Sequence, residues 1–196
     1  MAKLNALAEG HALAPVCLID PNIAPGLPQT QPIASRVVEA PRRPTSAETN
    51  LHSEGAEFLV LANLLIRGVH ATKAYTNYPG WDVLATNPET GQTCRIQVKA
   101  RLRTDYNRGF PIKNFDAEFV VHVALNRGYL RPRRGGSDTG ERPPEFFILP
   151  MPVIVKVCES APMWGASSKV FLRNVPDVDQ YRDAWHLIID HLGVAK

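Results

Sequence analysis

Hydrophobic positions along the second three quarters of the chain keep to two rhythms, one helical and one alternating. From Ser53 to Arg67 the apolar residues Phe58, Leu61, Leu65 and Ile66 recur at helical spacing. Ser53, or Ser46 for an earlier start, is suited to cap this helix, Glu54 and Glu57 fit its first turns, and Gly68 ends it. Trp81 to Ala85 is short and apolar, and Asn87–Gly91 has turn composition. Thr93 to Ala100 then alternates: Cys94, Ile96 and Val98 point one way, Arg95, Gln97 and Lys99 the other. Two strands across a short turn predict an antiparallel hairpin. Ala117–Leu125 reads as a buried strand and Glu145–Leu149 as another, ended by Pro150. Val153–Glu159 fits strand or helix equally. Lys169–Asn174 reads as a short strand. Asp177–Leu192 reads as one amphipathic helix with Val178, Tyr181, Trp185, Ile188 and Leu192 on one face. The expected fold class is α/β, a mixed central sheet flanked by helices.

The first part of the chain breaks this pattern. Seven of the seventeen prolines fall before residue 45, at 15, 21, 25, 28, 32, 41 and 44, and leave no room for a long helix or a central strand. Residues 1–48 are therefore expected to form a poorly ordered arm and residues 49–196 the α/β domain. A chain of 196 residues with 44% hydrophobic content suffices for one such core. No run reaches the length of a membrane-spanning helix, and the start of the chain shows no secretory pattern. Cys17, Cys94 and Cys158 are odd in number and scattered, which fits neither a disulfide framework nor a zinc site. A reducing, cytoplasmic setting is the expectation.

Net charge is only +3, but its distribution is uneven. Between residues 95 and 134 stand Arg95, Lys99, Arg101, Arg103, Arg108, Lys113, Arg127, Arg131, Arg133 and Arg134, against Asp105, Asp116 and Glu118 alone. Such a zone suits a polyanionic partner, although a solvated loop region accounts for it equally well. Tyr106, Phe110, Phe115 and Tyr129 lie among these cations, where they could stack on bases; Phe115 is read instead as an anchor under a loop. The polar face of the second hairpin strand holds the candidate chemistry. Asp82 at the start of the neighbouring strand can come alongside Gln97, since cross-strand neighbours approach to about 5 Å between Cβ atoms. A carboxylate, an amide oxygen and an ammonium group would then converge. Oxygen donors of this kind suit a hard cation such as Mg²⁺ or Mn²⁺, and a lysine two residues away can hold an attacking water or offset charge on a phosphorane.

Asp82, followed fifteen residues later by Gln97-Val98-Lys99 at the end of a hairpin, with Glu57 on a preceding helix, resembles the PD-(D/E)XK nuclease superfamily. The resemblance spans roughly residues 53 to 150. It implies a restriction-endonuclease-like core and a metal-dependent endonuclease that hydrolyses DNA phosphodiester bonds. It further implies Glu57, Asp82, Gln97 and Lys99 as catalytic residues, with metal held by Asp82, Gln97, Glu57 and the carbonyl of Val98. Two positions depart from the pattern. Trp81 stands where the motif has proline, and Gln97 replaces the second acid, a QxK variant found in some intron homing endonucleases of the superfamily. One unit charge near the metal is thereby lost, worth on the order of 4 kcal/mol at about 4 Å and an effective dielectric near 20; Glu57 or Glu54 can restore part of it.

The expected phosphate contacts are Arg101, Arg103, Arg108, Lys113, Arg131, Arg133 and Arg134, and a homodimer is compatible with cutting both strands of a duplex. Two other readings compete. One is a nucleic-acid-binding module that kept the fold and lost the metal; the other is an interaction component of a phage or defence system. His186 and His191 are poorly spaced for a metal, His122 is read as structural, and Gly135-Gly136 lacks the lysine and helix of a phosphate loop.

Overall fold

The computed structural model describes residues 45–74, 80–104, 109–130 and 137–194. The proline-rich segment up to residue 44 lies outside them. The first helix, α1 (Ser46–Ile66), starts earlier than Ser53 because Thr45 closes a capping box. Its hydroxyl accepts the Glu48 N–H at 3.2 Å while the Glu48 carboxylate accepts the Thr45 N–H at 2.7 Å. Residues 46–48, assigned to the arm from sequence, are therefore helical.

Strands β1 (His70–Lys73), β2 (Val83–Thr86), β3 (Thr93–Arg101), β5 (Phe119–Ala124) and β6 (Glu145–Pro150) form a sheet in the order β1-β2-β3-β5-β6. The β2–β3 hairpin is antiparallel as expected, β3 and β5 run parallel, and β5 and β6 antiparallel, so the sheet is mixed. The short polar β1, not foreseen, pairs with β2 at the edge. The segment left open between strand and helix is α2 (Met151–Cys158).

A second small sheet joins β4 (Phe110–Ile112), β8 (Ser167–Val170) and β7 (Met163–Trp164), in the order β4-β8-β7. The strand expected over Lys169–Asn174 thus ends at Val170, and Leu172–Asn174 is a 3-10 turn.

Two departures concern the helices. In α1 the buried residues are Ala56, Val60 and Leu64, while Phe58, Leu65 and Ile66 from the expected core stripe are exposed. The helix carries two overlapping apolar stripes, and the sheet takes the one that begins with a small residue. Near the end of the chain, one long helix is replaced by a 3-10 turn at Val178–Tyr181 and a short α3 (His186–Leu192). Asp177 and Asp183 have φ of 46° and 48°, left-handed conformations that a continuous helix excludes. The Asp183 N–H donates to the Phe146 carbonyl at 2.8 Å, which ties this break to β6.

The sheet buries both faces. One packs Ile96, Val98, Val121 and Ile148 against α1, Trp185 and α3. The other packs Val120, Phe147 and Leu149 against β4, β8 and α2. Among the described residues no helix is long and apolar enough to cross a membrane.

Candidate active site

The alternation of β3 assigns its side chains as expected. Cys94, Ile96 and Val98 enter the α1-side core, and Gln97 and Lys99 lie on the opposite face with His122 of β5, which stands level with Lys99. Val83 pairs with Ile96, so Asp82 falls just beyond the ladder, where it straddles Gln97. Its N–H donates to the Ile96 carbonyl at 2.9 Å, and its Oδ2 accepts the Val98 N–H at 2.6 Å. In an extended strand the N–H and C=O of one residue point to the same side. The Val98 carbonyl therefore faces the side on which Asp82 sits.

Gln97 is 7% exposed, and its Oε1 is buried without a hydrogen-bond partner. Leaving such an oxygen unmet is unfavourable by about 1–3 kcal/mol, which calls for a group that the protein itself does not provide. Lys99 is half-buried. Burial and the neighbouring charge of Lys113 hold its ammonium below the usual lysine range, against the attraction of Asp82 and Glu57. Glu57, reaching over from α1, is raised above the ordinary carboxylate value, first by burial and then by the charges of Asp82 and Glu54; Lys73 opposes this. Asp82, Lys99 and Glu57 thus lie within reach of one another's charges, and Asp82 is bonded to the backbone next to Gln97.

Lys73 was missed. Its side chain is 5% exposed, paired with Glu54 and with Glu57 at 3.0 Å. Hydrogen bonds to both acids raise it above the ordinary lysine value despite burial. The available signal was Glu54, Glu57 and Phe58 at helical spacing, a face able to grip one cation.

The donors fit a hard divalent ion: a carboxylate of Asp82, the unmet amide oxygen of Gln97, the Val98 carbonyl and the acid of Glu57. Among the described residues no three His, Cys, Asp or Glu side chains gather as a metal group, so amide and carbonyl oxygens have to complete any such set.

The expected phosphate contacts separate. Lys113 is exposed and close enough to act on Lys99. Arg103 donates to the Arg127 carbonyl at 3.2 Å. Arg101 is instead buried, 7% exposed, with Nη2 at 3.4 Å from the Asn126 Oδ1, so it does not present its charge at the surface. Arg108, Arg131, Arg133 and Arg134 lie outside the described residues. Phe115 is no anchor under a loop: it is 42% exposed, whereas Phe110 is buried against the His122 ring at 5.0 Å.

No family model matches the sequence, and no curated protein matches it. Among solved structures, the chain is similar to a bacterial homing endonuclease, I-Ssp6803I, at 18% identity and a TM-score of 0.46, over 74% of this chain and 94% of that one. It is also similar to Hjc, a Holliday junction resolvase from the archaeal hyperthermophile Archaeoglobus fulgidus, at 16% identity and a TM-score of 0.34, over 63% and 87% of the two chains.

Proposed function

We propose that this chain is a divalent-metal-dependent endonuclease of the PD-(D/E)XK kind, hydrolysing DNA phosphodiester bonds with a QxK variant of the motif. The observation that carries this reading is the buried, unpartnered amide oxygen of Gln97, on the strand face it shares with Lys99 and next to the backbone N–H that holds the Asp82 carboxylate. Buried side-chain oxygens are as a rule hydrogen-bonded, so this one is open to a ligand.

Asp82, Gln97, the Val98 carbonyl and Glu57 would hold Mg²⁺ or Mn²⁺. The ion would polarise the scissile phosphate and favour ionisation of a bound water. The chain's own residues do the rest. The Val98 N–H fixes the Asp82 carboxylate beside Gln97. Lys99, lowered by burial, sits closer to neutrality than a solvated lysine and can orient the nucleophilic water or take its proton. Lys113 and Arg103 would contact backbone phosphates, which gives affinity without sequence preference. A homodimer would supply one such site to each strand of a duplex.

One observation favours a second reading, a non-catalytic nucleic-acid-binding module: the motif's second acid is the neutral Gln97. Nicking of supercoiled plasmid in Mg²⁺ or Mn²⁺ separates the two. The endonuclease reading expects cleavage by wild type and a loss on the order of 10²–10⁴-fold for both Asp82→Ala and Lys99→Ala. Salt-dependent DNA binding with no cleavage in either metal would leave the module.

A further inference from the structure

Lys73 belongs to no part of the motif, yet it is built into the site. On β1, Ala71 packs into the core shared with α1, and Lys73, two residues on, takes the same face. Its ammonium is held by Glu54 and by Glu57 at 3.0 Å, and it lies 5.2 Å from the centroid of the Phe58 ring. Glu54, Glu57 and Phe58 stand at i, i+3 and i+4, so one face of α1 closes on this cation. The Lys73 side chain is 5% exposed and that of Glu57 18%, while Glu54 is half exposed, so the pair with Glu57 is the better shielded of the two.

Glu57 is also the acid that α1 offers to the reaction centre, near enough to Asp82 for the two charges to act on each other. A carboxylate already engaged by a buried ammonium is a poorer ligand for an incoming dication. Among the described residues whose charges act on Glu57 and Lys99, the acids Glu54, Glu57 and Asp82 stand against Lys73, Lys99 and Lys113. We infer that Lys73 is a resident cation, a positioning residue that ties Glu57 to β1 and competes with the divalent ion for its carboxylate. Metal occupancy is thereby weakened, in addition to the charge lost at Gln97. This inference rests on the nuclease reading of the site.

Titration of the full chain with Mn²⁺ alone in a calorimeter tests it without reference to activity. Lys73→Met is expected to tighten the Mn²⁺ dissociation constant at least about tenfold, about 1.4 kcal/mol; Lys73→Arg is expected to keep the wild-type value. If folded Lys73→Met, checked by circular dichroism, binds Mn²⁺ no tighter than wild type, the inference is overturned and Lys73 merely pins α1 to β1. If that variant does not fold, Lys73→Gln decides. The amide keeps a hydrogen-bond donor for the two acids and removes the charge, so Mn²⁺ binding is expected to tighten at least about threefold; an unchanged constant overturns the inference. Asp82→Ala runs alongside. Loss of Mn²⁺ binding there with no gain in Lys73→Met removes the role of Lys73 alone. Mn²⁺ binding untouched by Asp82→Ala removes the nuclease reading itself.

Discussion

Arg95 and Lys99 stand four residues apart on the same face of β3, but in different surroundings. The Arg95 side chain is 45% exposed, and its Nη2 meets the Glu118 carboxylate at 2.6 Å. That hydrogen bond raises it above the ordinary arginine value. Lys99 is half-buried, and burial lowers it. Between them Gln97 has a buried oxygen with no partner. One strand face therefore passes from a solvated ion pair to a desolvated cluster within a single alternation. The same residue types read alike in a pattern of polar positions; what separates them is whether water or another group completes their interactions.

The sharpest way to press on this difference is Gln97→Glu. On the desolvated part of the face a new carboxylate joins Asp82 and Glu57, and like charges repel where little water separates them. The metal-free protein is expected to lose about 2 kcal/mol of stability in urea unfolding. Its Mn²⁺ affinity is expected to rise at least about thirtyfold in calorimetry, a conservative part of the roughly 4 kcal/mol that a unit charge at about 4 Å provides. An affinity equal to wild type would show that position 97 does not face the ion.

Much of this region was legible before the structure because its signals are local. The alternation over Thr93–Arg101, the turn at Asn87–Gly91 and the run Phe119–Ala124 each declare a strand without reference to anything distant. Hairpin register then places Asp82 beside Gln97. What stayed hidden depends on contacts remote in sequence. Lys73 meets Glu54 across nineteen positions, and the strand bearing it, His70–Lys73, is too short and polar to announce itself. The second sheet pairs Phe110–Ile112 with Ser167–Val170, with Pro111 in its middle. In α1 both apolar stripes fit a helix equally, and only the sheet chooses between them. The last helix was read too long because apolar periodicity says nothing about the left-handed turns at Asp177 and Asp183.

A smaller effect is expected one strand over, at His122, level with Lys99. The ring is 1% exposed, stacked on Phe110, and neither nitrogen has a hydrogen-bond partner. Burial, helped by the charge of Arg101, pushes it down to about 3. The sign follows from linkage. Below the unfolded value of 6.5 the unfolded chain takes up a proton that the folded chain refuses, so stability drains away as pH falls from 6.5 towards about 3. At pH 5 the loss is about 2 kcal/mol, from about 1.4 kcal/mol per unit. His122→Phe, which forfeits no hydrogen bond, is expected to abolish this component in denaturant titrations at pH 7 and pH 5. An equal acid loss in both proteins would place the proton uptake elsewhere.

Arg95→Ala should do least, and that is its value. The Glu118 carboxylate also accepts the Arg95 backbone N–H at 2.6 Å, a bond that alanine keeps. Only the half-exposed guanidinium pair is lost, and such pairs contribute about 0.2–1 kcal/mol. Urea unfolding should therefore register less than about 1 kcal/mol, and the difference should shrink in 1 M salt, where charges more than about 3 Å apart are screened. Cleavage should stay within about twofold of wild type, because Arg95 points to Glu118 and not to Asp82. A tenfold loss of cleavage would mean that substrate reaches past Gln97 along the strand. The division of this face would then mark a binding surface crossed by DNA, with the reaction centre at one end of it.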